Sequence, residues 1–208
     1  MLVYVDIDTQ DDFVNEDGAL PVPGAKDIRP NLKALTNNAV SEEILILATA
    51  DCHYGHEPEL KINGGLFPNH CMMGTPGASN IPETCIEDGL VVPTDCRYDG
   101  SRKKGKLTFQ KQCPDVFDQK SGGNKEFAKF LERTGNITAV VYGVATDYCV
   151  KAAVLGLLKA KGVKEVYLVT DAIASVDMEP GDGQKALDEM MAAGAIDCNT
   201  SQVLAMTS

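Results

Sequence analysis

The stretch "VVYGVATDYCVKAAVLGLL", residues 140–158, decides the reading of the chain. It starts as an apolar strand, passes through Gly143 and the short turn "ATDY", and becomes a helix at Cys149. A strand feeding straight into a helix is half of a βαβ unit, and the pattern recurs on both sides. Upstream lie the apolar runs "LVYVDI" (2–7), "EILILAT" (43–49) and "KLTFQK" (106–111), with helices expected near 27–38 and 124–134. Downstream lie "EVYLVTDA" (165–172), a helix near 180–193 and a short final strand, "SQVLAM" (201–206). Short apolar strands alternating with amphipathic helices predict an α/β fold, with a mostly parallel, Rossmann-like sheet covered on both faces in three αβα layers. One domain is expected over 1–208. The segment of about 52–106 breaks the alternation. Rich in Gly and Pro and without sustained periodicity, it reads as a long active-site loop or insertion.

With 44% hydrophobic and 24% charged residues the composition is that of a soluble globular protein. A net charge of −11 argues against a nucleic-acid backbone or an anionic membrane as partner and leaves a small molecule as the expected one. A homo-oligomer is compatible with everything in the sequence. No apolar run approaches the roughly 18 residues of a membrane span. The opening "MLVYVDID" lacks the basic start of a secretion signal. The seven cysteines are odd in number and irregularly spaced, which reads as free thiols in a reducing cytoplasm, although Cys85 and Cys96 could close a surface loop.

In an open parallel sheet, ligands bind outside the carboxyl ends of the strands. Four such ends carry side chains capable of chemistry: Asp8, the pair Asp51 and His53, Lys111, and Cys149. Each has an ordinary reading alone, as a turn aspartate, an exposed lysine or a buried packing cysteine. On one rim they support each other. All three histidines, His53, His56 and His70, fall in the long irregular segment. Asp51 and His53 are two apart and share a side of an extended strand end. His70 could complete a facial set with them, with His56 a fourth candidate, or the three rings could simply bond loop backbone. Imidazole and carboxylate ligands suit zinc, iron or manganese better than calcium or magnesium. Cys149 is either core packing or a nucleophile. A helix start favours its thiolate and offers free N–H groups to an oxyanion, and a lysine and an aspartate nearby would complete the means for acyl transfer through a thioester.

Seven segments in order then carry a resemblance: "DTQDDF" (8–13), "GALPVPGA" (18–25), "TADCH" (49–53), "FPNHCMMGTPGA" (67–78), "KQCPDVF" (111–117), "GVATDYCV" (143–150) and "ALDEMMAAGA" (186–195). With them the chain resembles the isochorismatase-like cysteine hydrolases, and within that family the branch that hydrolyses nicotinamide to nicotinate and ammonia. The resemblance implies a triad of Asp8, Lys111 and Cys149, in which Asp8 takes the thiol proton and Lys111 holds the thiolate. It implies an oxyanion hole from the backbone of Ala145 and Cys149, beside a cis peptide at Val144–Ala145. It implies one divalent ion, zinc foremost with iron or manganese as alternatives, on Asp51, His53 and His70, with Phe13 and Phe67 lining the substrate pocket. A sibling activity on another small amide, a carbamoyl compound or a vinyl ether is the alternative, and a non-catalytic metal-binding or thiol protein a third. Lys106 is the other candidate for the lysine. Asp6 stands where the family has an apolar residue and is expected on the same side as Asp8, bonding backbone or perturbing that carboxylate.

Overall fold

In the first strand, β1 (Leu2–Ile7), Val3, Val5 and Ile7 are buried in one core and Tyr4 in another. That double burial is what a parallel sheet covered on both faces demands of its strands. The computed structural model describes residues 1–207, and within them seven strands form one parallel sheet in the order β3-β4-β2-β1-β5-β6-β7. The others are β2 (Leu45–Asp51), β3 (Gly89–Val92), β4 (Lys106–Lys111), β5 (Ile137–Val144), β6 (Val163–Ala174) and β7 (Ile196–Cys198). On one face the core takes Phe127 and Phe130 from α3 (Lys125–Thr134), Val154 and Leu157 from α4 (Lys151–Lys159) and Met190 from α5 (Asp182–Ala192). On the other it takes Phe13 from α1 (Asp11–Val14), Leu32 and Leu35 from α2 (Arg29–Ser41) and Val203 from α6 (Thr200–Thr207). The three-layer αβα architecture is therefore the one the strand–helix alternation predicts. No helix among the described residues is long and apolar enough to cross a membrane.

Two expectations are corrected. The segment 201–206 is helix α6, not a strand. The last sheet edge is taken by Ile196–Cys198, which pairs with Tyr167–Val169. Asn199 and Gln202 then close a reciprocal capping box, with Gln202 N–H donating to Asn199 Oδ1 at 2.9 Å and Asn199 N–H to Gln202 Oε1 at 2.9 Å. The irregular segment also contains a strand, β3, which lies at the sheet edge beside β4, where three of its four residues are exposed and leave no alternation to read. The seven cysteines are all free, Cys85 and Cys96 included.

Register sets the level of the rim. Asp51 and Lys111, the last residues of β2 and β4, are paired neighbours, and Gly143 of β5 is paired with Ile7. Gly143 adopts φ +118°, and a Cβ there would press into the Ile7 carbonyl group. Only glycine lets β5 approach β1 this closely and bend into the turn that follows. Gly143→Ala should lower the stability to urea by about 2–4 kcal/mol. An unchanged unfolding midpoint would show that the strands can separate without cost.

Candidate active site

β5 ends in a cis peptide between Val144 and Ala145, and the chain enters a π-helical turn, Thr146–Val150, before α4. Tyr148 and Val150 N–H both donate to the Ala145 carbonyl at 3.0 Å. The turn carries Cys149 over the ends of β1 and β4, buried at 8% exposure. Asp147, in the same turn, accepts the N–H groups of Val176 and Asp177 at 3.0 and 2.8 Å and so ties the loop after β6 to the turn.

Lys111 Nζ, 1% exposed, is the centre of the cluster. It donates to Asp51, lies 2.8 Å from Asp8 Oδ2 and donates to Cys149 Sγ at 3.5 Å. Thr49 Oγ1 donates to Asp8 Oδ1 at 2.7 Å, while Asp8 Oδ2 meets the Lys111 ammonium as an ion pair. Carboxylate oxygens of Asp8 and Asp51 and the sulfur of Cys149 all lie within 4.8 Å of one another. The structure thus brings Asp8, Lys111 and Cys149 together, and Lys106 elsewhere. Lys106 is at the start of β4, where it pairs with Asp6 at 2.6 Å.

Burial raises the proton affinity of Asp8, with Lys111 and Thr49 opposing and Asp51 adding to it. Asp51 shifts the other way: burial opposes ionisation there, but Lys111 and the two histidines overcome it and hold the carboxylate charged. Burial would discharge Lys111, yet Asp51 and Asp8 keep its ammonium more firmly than an ordinary lysine. For Cys149, burial pushes the thiol well above a free cysteine, Lys111 opposes, and the two carboxylates reinforce the rise. The surroundings thus work against the thiolate expected from a helix start and a lysine. Two carboxylates share that one lysine and weaken its pull on the sulfur.

The opposite oxygen of Asp51 belongs to a second cluster. Its Oδ2 lies 3.8 Å from His53 Nε2 and 3.6 Å from His70 Nε2, and Glu59 Oε1 lies 3.3 and 3.6 Å from the same two nitrogens. The long loop reaches this geometry through short parallel pairings. His53 N–H donates to the Cys71 carbonyl at 3.1 Å and Met73 N–H to the His53 carbonyl at 2.8 Å, which delivers His70 beside His53. Phe67 N–H donates to the Glu59 carbonyl at 3.0 Å, which fixes Glu59 and Phe67 as neighbours. Both ring nitrogens of His53 are buried without a hydrogen-bond partner, a state a side chain tolerates when a cation completes it. Four donor atoms, from Asp51, His53, Glu59 and His70, lie within 4.8 Å of one another, and two imidazoles with two carboxylates suit zinc, iron or manganese. The residues present fit a divalent ion. His56 is outside this cluster: its side chain is 73% exposed and its ring stacks on Tyr54. Glu59 takes the fourth place instead. It was missed because one glutamate in an irregular acidic loop carries no periodic signal.

Between the two clusters runs an apolar cavity. Cys149, Ala145 and Val144 line one end and Asp51, Glu59 and His70 the other, with Phe13, Phe67, Tyr148, Leu20, Val22 and Val176 as walls. Phe67 and Tyr148 meet edge to face, with ring centroids 5.6 Å apart, and Phe13 packs on His70 at 5.4 Å. Phe13 and Phe67 are thus both in the lining, and Tyr148, Leu20 and Val176 join them there.

The isochorismatase domain family matches residues 3–202. Among characterised proteins, the nicotinamidase of Escherichia coli strain K12 is 28% identical over 204 residues, covering 91% of this chain and 90% of that one. The nicotinamidase of Acinetobacter baylyi is 27% identical, covering 95% and 92%. Among solved structures, the pyrazinamidase of Pyrococcus horikoshii in complex with zinc superposes with a TM-score of 0.73 at 29% identity, covering 95% of this chain and 98% of that one. The domain match spans nearly the whole chain, the sheet is the same kind of sheet, and the cysteine, lysine and aspartate meet on its rim: the chain belongs to the isochorismatase family.

Proposed function

We propose that the chain is a cysteine amidohydrolase that converts nicotinamide to nicotinate and ammonia, in pyridine-nucleotide salvage in the cytoplasm. The observation that carries this reading is the apolar cavity lined by the Cys149 thiol at one end and by Asp51, Glu59 and His70 at the other, with Asp8 and Lys111 buried beside the sulfur. The relatives named nicotinamidase support the same substrate. Its flat apolar walls suit an aromatic amide.

Asp8 Oδ2 accepts the Cys149 proton as the sulfur attacks the amide carbon. Its raised proton affinity makes it a competent base for a thiol whose burial opposes ionisation. The backbone N–H groups of Ala145 and Cys149 receive the charge developing on the carbonyl oxygen. Asp8 then gives the proton to the departing nitrogen, the C–N bond breaks, and ammonia leaves a thioester on Cys149. A water delivers a proton to Asp8 as its oxygen attacks the thioester, and the proton returns to sulfur as the acid leaves. Throughout, Lys111 holds the carboxylates of Asp8 and Asp51 in place. Asp51, His53, Glu59 and His70 would hold a divalent ion. When bound, such an ion supplies a Lewis-acidic anchor for a ring nitrogen, fixing the far end of the substrate.

Ammonia release from nicotinamide by the zinc-loaded protein, with Cys149→Ala in parallel, tests the reading. Release by the wild type and a fall of at least about 10³-fold in the variant are expected. A folded, metal-loaded wild type that releases none would move the substrate to another small amide. Zinc binding can be followed separately by chelator competition. His53→Ala should abolish it and raise KM more than it lowers kcat, and Glu59→Ala should weaken it by about tenfold or more. Unaltered zinc affinity in Glu59→Ala would remove that residue from the ligand set.

A further inference from the structure

The mechanism leaves one buried ion pair unused, and it is on the other face of the sheet. Asp6 and Lys106 are 1% and 3% exposed. Lys106 Nζ donates to Asp6 Oδ2 at 2.6 Å and to the Thr84 carbonyl at 2.8 Å. Asp6 Oδ1 accepts the Thr9 hydroxyl at 2.8 Å, and the Thr9 and Thr84 hydroxyls meet at 2.7 Å. Thr9 and Thr84 are fully buried. Asp6 and Asp8 are two apart, and an extended strand would place them on one face. They bind lysines of opposite parity in β4 instead, Lys106 and Lys111. The crossing is made at Asp8, whose φ of +49° is left-handed, a conformation that residues other than glycine rarely adopt. The Asp6–Thr9 bond spans that residue, from the position two before it to the position after it.

We infer that Asp6, Thr9 and Lys106 are positioning residues that bracket Asp8 from the far side of the sheet and hold its left-handed backbone, so that its carboxylate faces Lys111 and Cys149. None of them lines the cavity. Lys106 anchors the bracket by tying Asp6 to the Thr84 backbone, and the Ile81 N–H closes it on the Thr9 carbonyl at 3.0 Å. Strained backbone at a functional residue persists only where its surroundings over-determine it, and these bonds add to the two of Asp8's own backbone, its N–H donating to the Thr49 carbonyl at 3.3 Å and its carbonyl accepting the Gln10 N–H at 2.8 Å.

The inference rests on Asp8 being the base of the proposed reaction, and Thr9 provides the cleanest test. Thr9→Val is isosteric and removes only the hydroxyl, whereas Thr9→Ser restores it. With nicotinamide as substrate, Thr9→Val should lower kcat by about 10²-fold with KM within about twofold, at temperatures well below its melting point. Thr9→Ser should recover most of the rate. The crystal structure of Thr9→Val should show Asp8 out of the left-handed region or its carboxylate away from Lys111. If Thr9→Val does not fold, the pair Asp6→Leu with Lys106→Met removes both charges and the acceptor together, which buried ion pairs often tolerate, and should show the same loss of kcat. Wild-type kcat in whichever of these folds, or an unmoved Asp8, overturns the inference. A wild type inert toward nicotinamide overturns the proposed function instead, and the crystallographic position of Asp8 then decides the bracket by itself.

Discussion

One ammonium group, Lys111 Nζ, is almost wholly removed from water and holds two carboxylates apart and in place. Taking such a group out of solvent is costly, and only full compensation by close partners makes it tolerable. Much of the rim is arranged to supply them. β2 and β4 end level so that Asp51 comes beside it, Asp8 swings over from the end of β1, and Cys149 descends from the π-helical turn. Asp51 offers one oxygen to the lysine and the other to two histidines, so the proton-handling cluster and the candidate metal cluster share a carboxylate.

That sharing explains the order of proton affinities across the site. Asp51, flanked by a cation and two imidazoles, stays ionised. Asp8 is more deeply enclosed, with Asp51 as an unfavourable neighbour, and keeps the greater hold on a proton. Two chemically identical side chains thereby differ in proton affinity through surroundings alone, as the proposed ligand and proton-transfer roles require.

Much of this was legible from residue patterns. Strands buried on both faces and helices between them make themselves known by apolar runs and periodicity. The rim residues Asp8, Asp51, Lys111 and Cys149 are polar positions at the ends of such runs. What stayed hidden depends on backbone geometry. Asp6 and Asp8 look like one face of a strand until a single left-handed residue separates them. Glu59 becomes a neighbour of His53 and His70 only through the Glu59–Phe67 pairing within the loop. Strand β3 has an exposed edge and no alternation to reveal it. The final helix did carry a sign, the N-x-x-Q of its capping box, but the apolar residues of "SQVLAM" at strand length outweighed it.

A buried sulfur whose surroundings oppose ionisation is also a durable one. Peroxide and other oxidants react with thiolate far faster than with thiol, and with exposed cysteines sooner than enclosed ones. Cys149 is enclosed and burial opposes its ionisation, whereas Cys85 and Cys96 stand on the surface. Oxidative wear is therefore expected first at Cys85 and Cys96, ahead of the thiol at the rim.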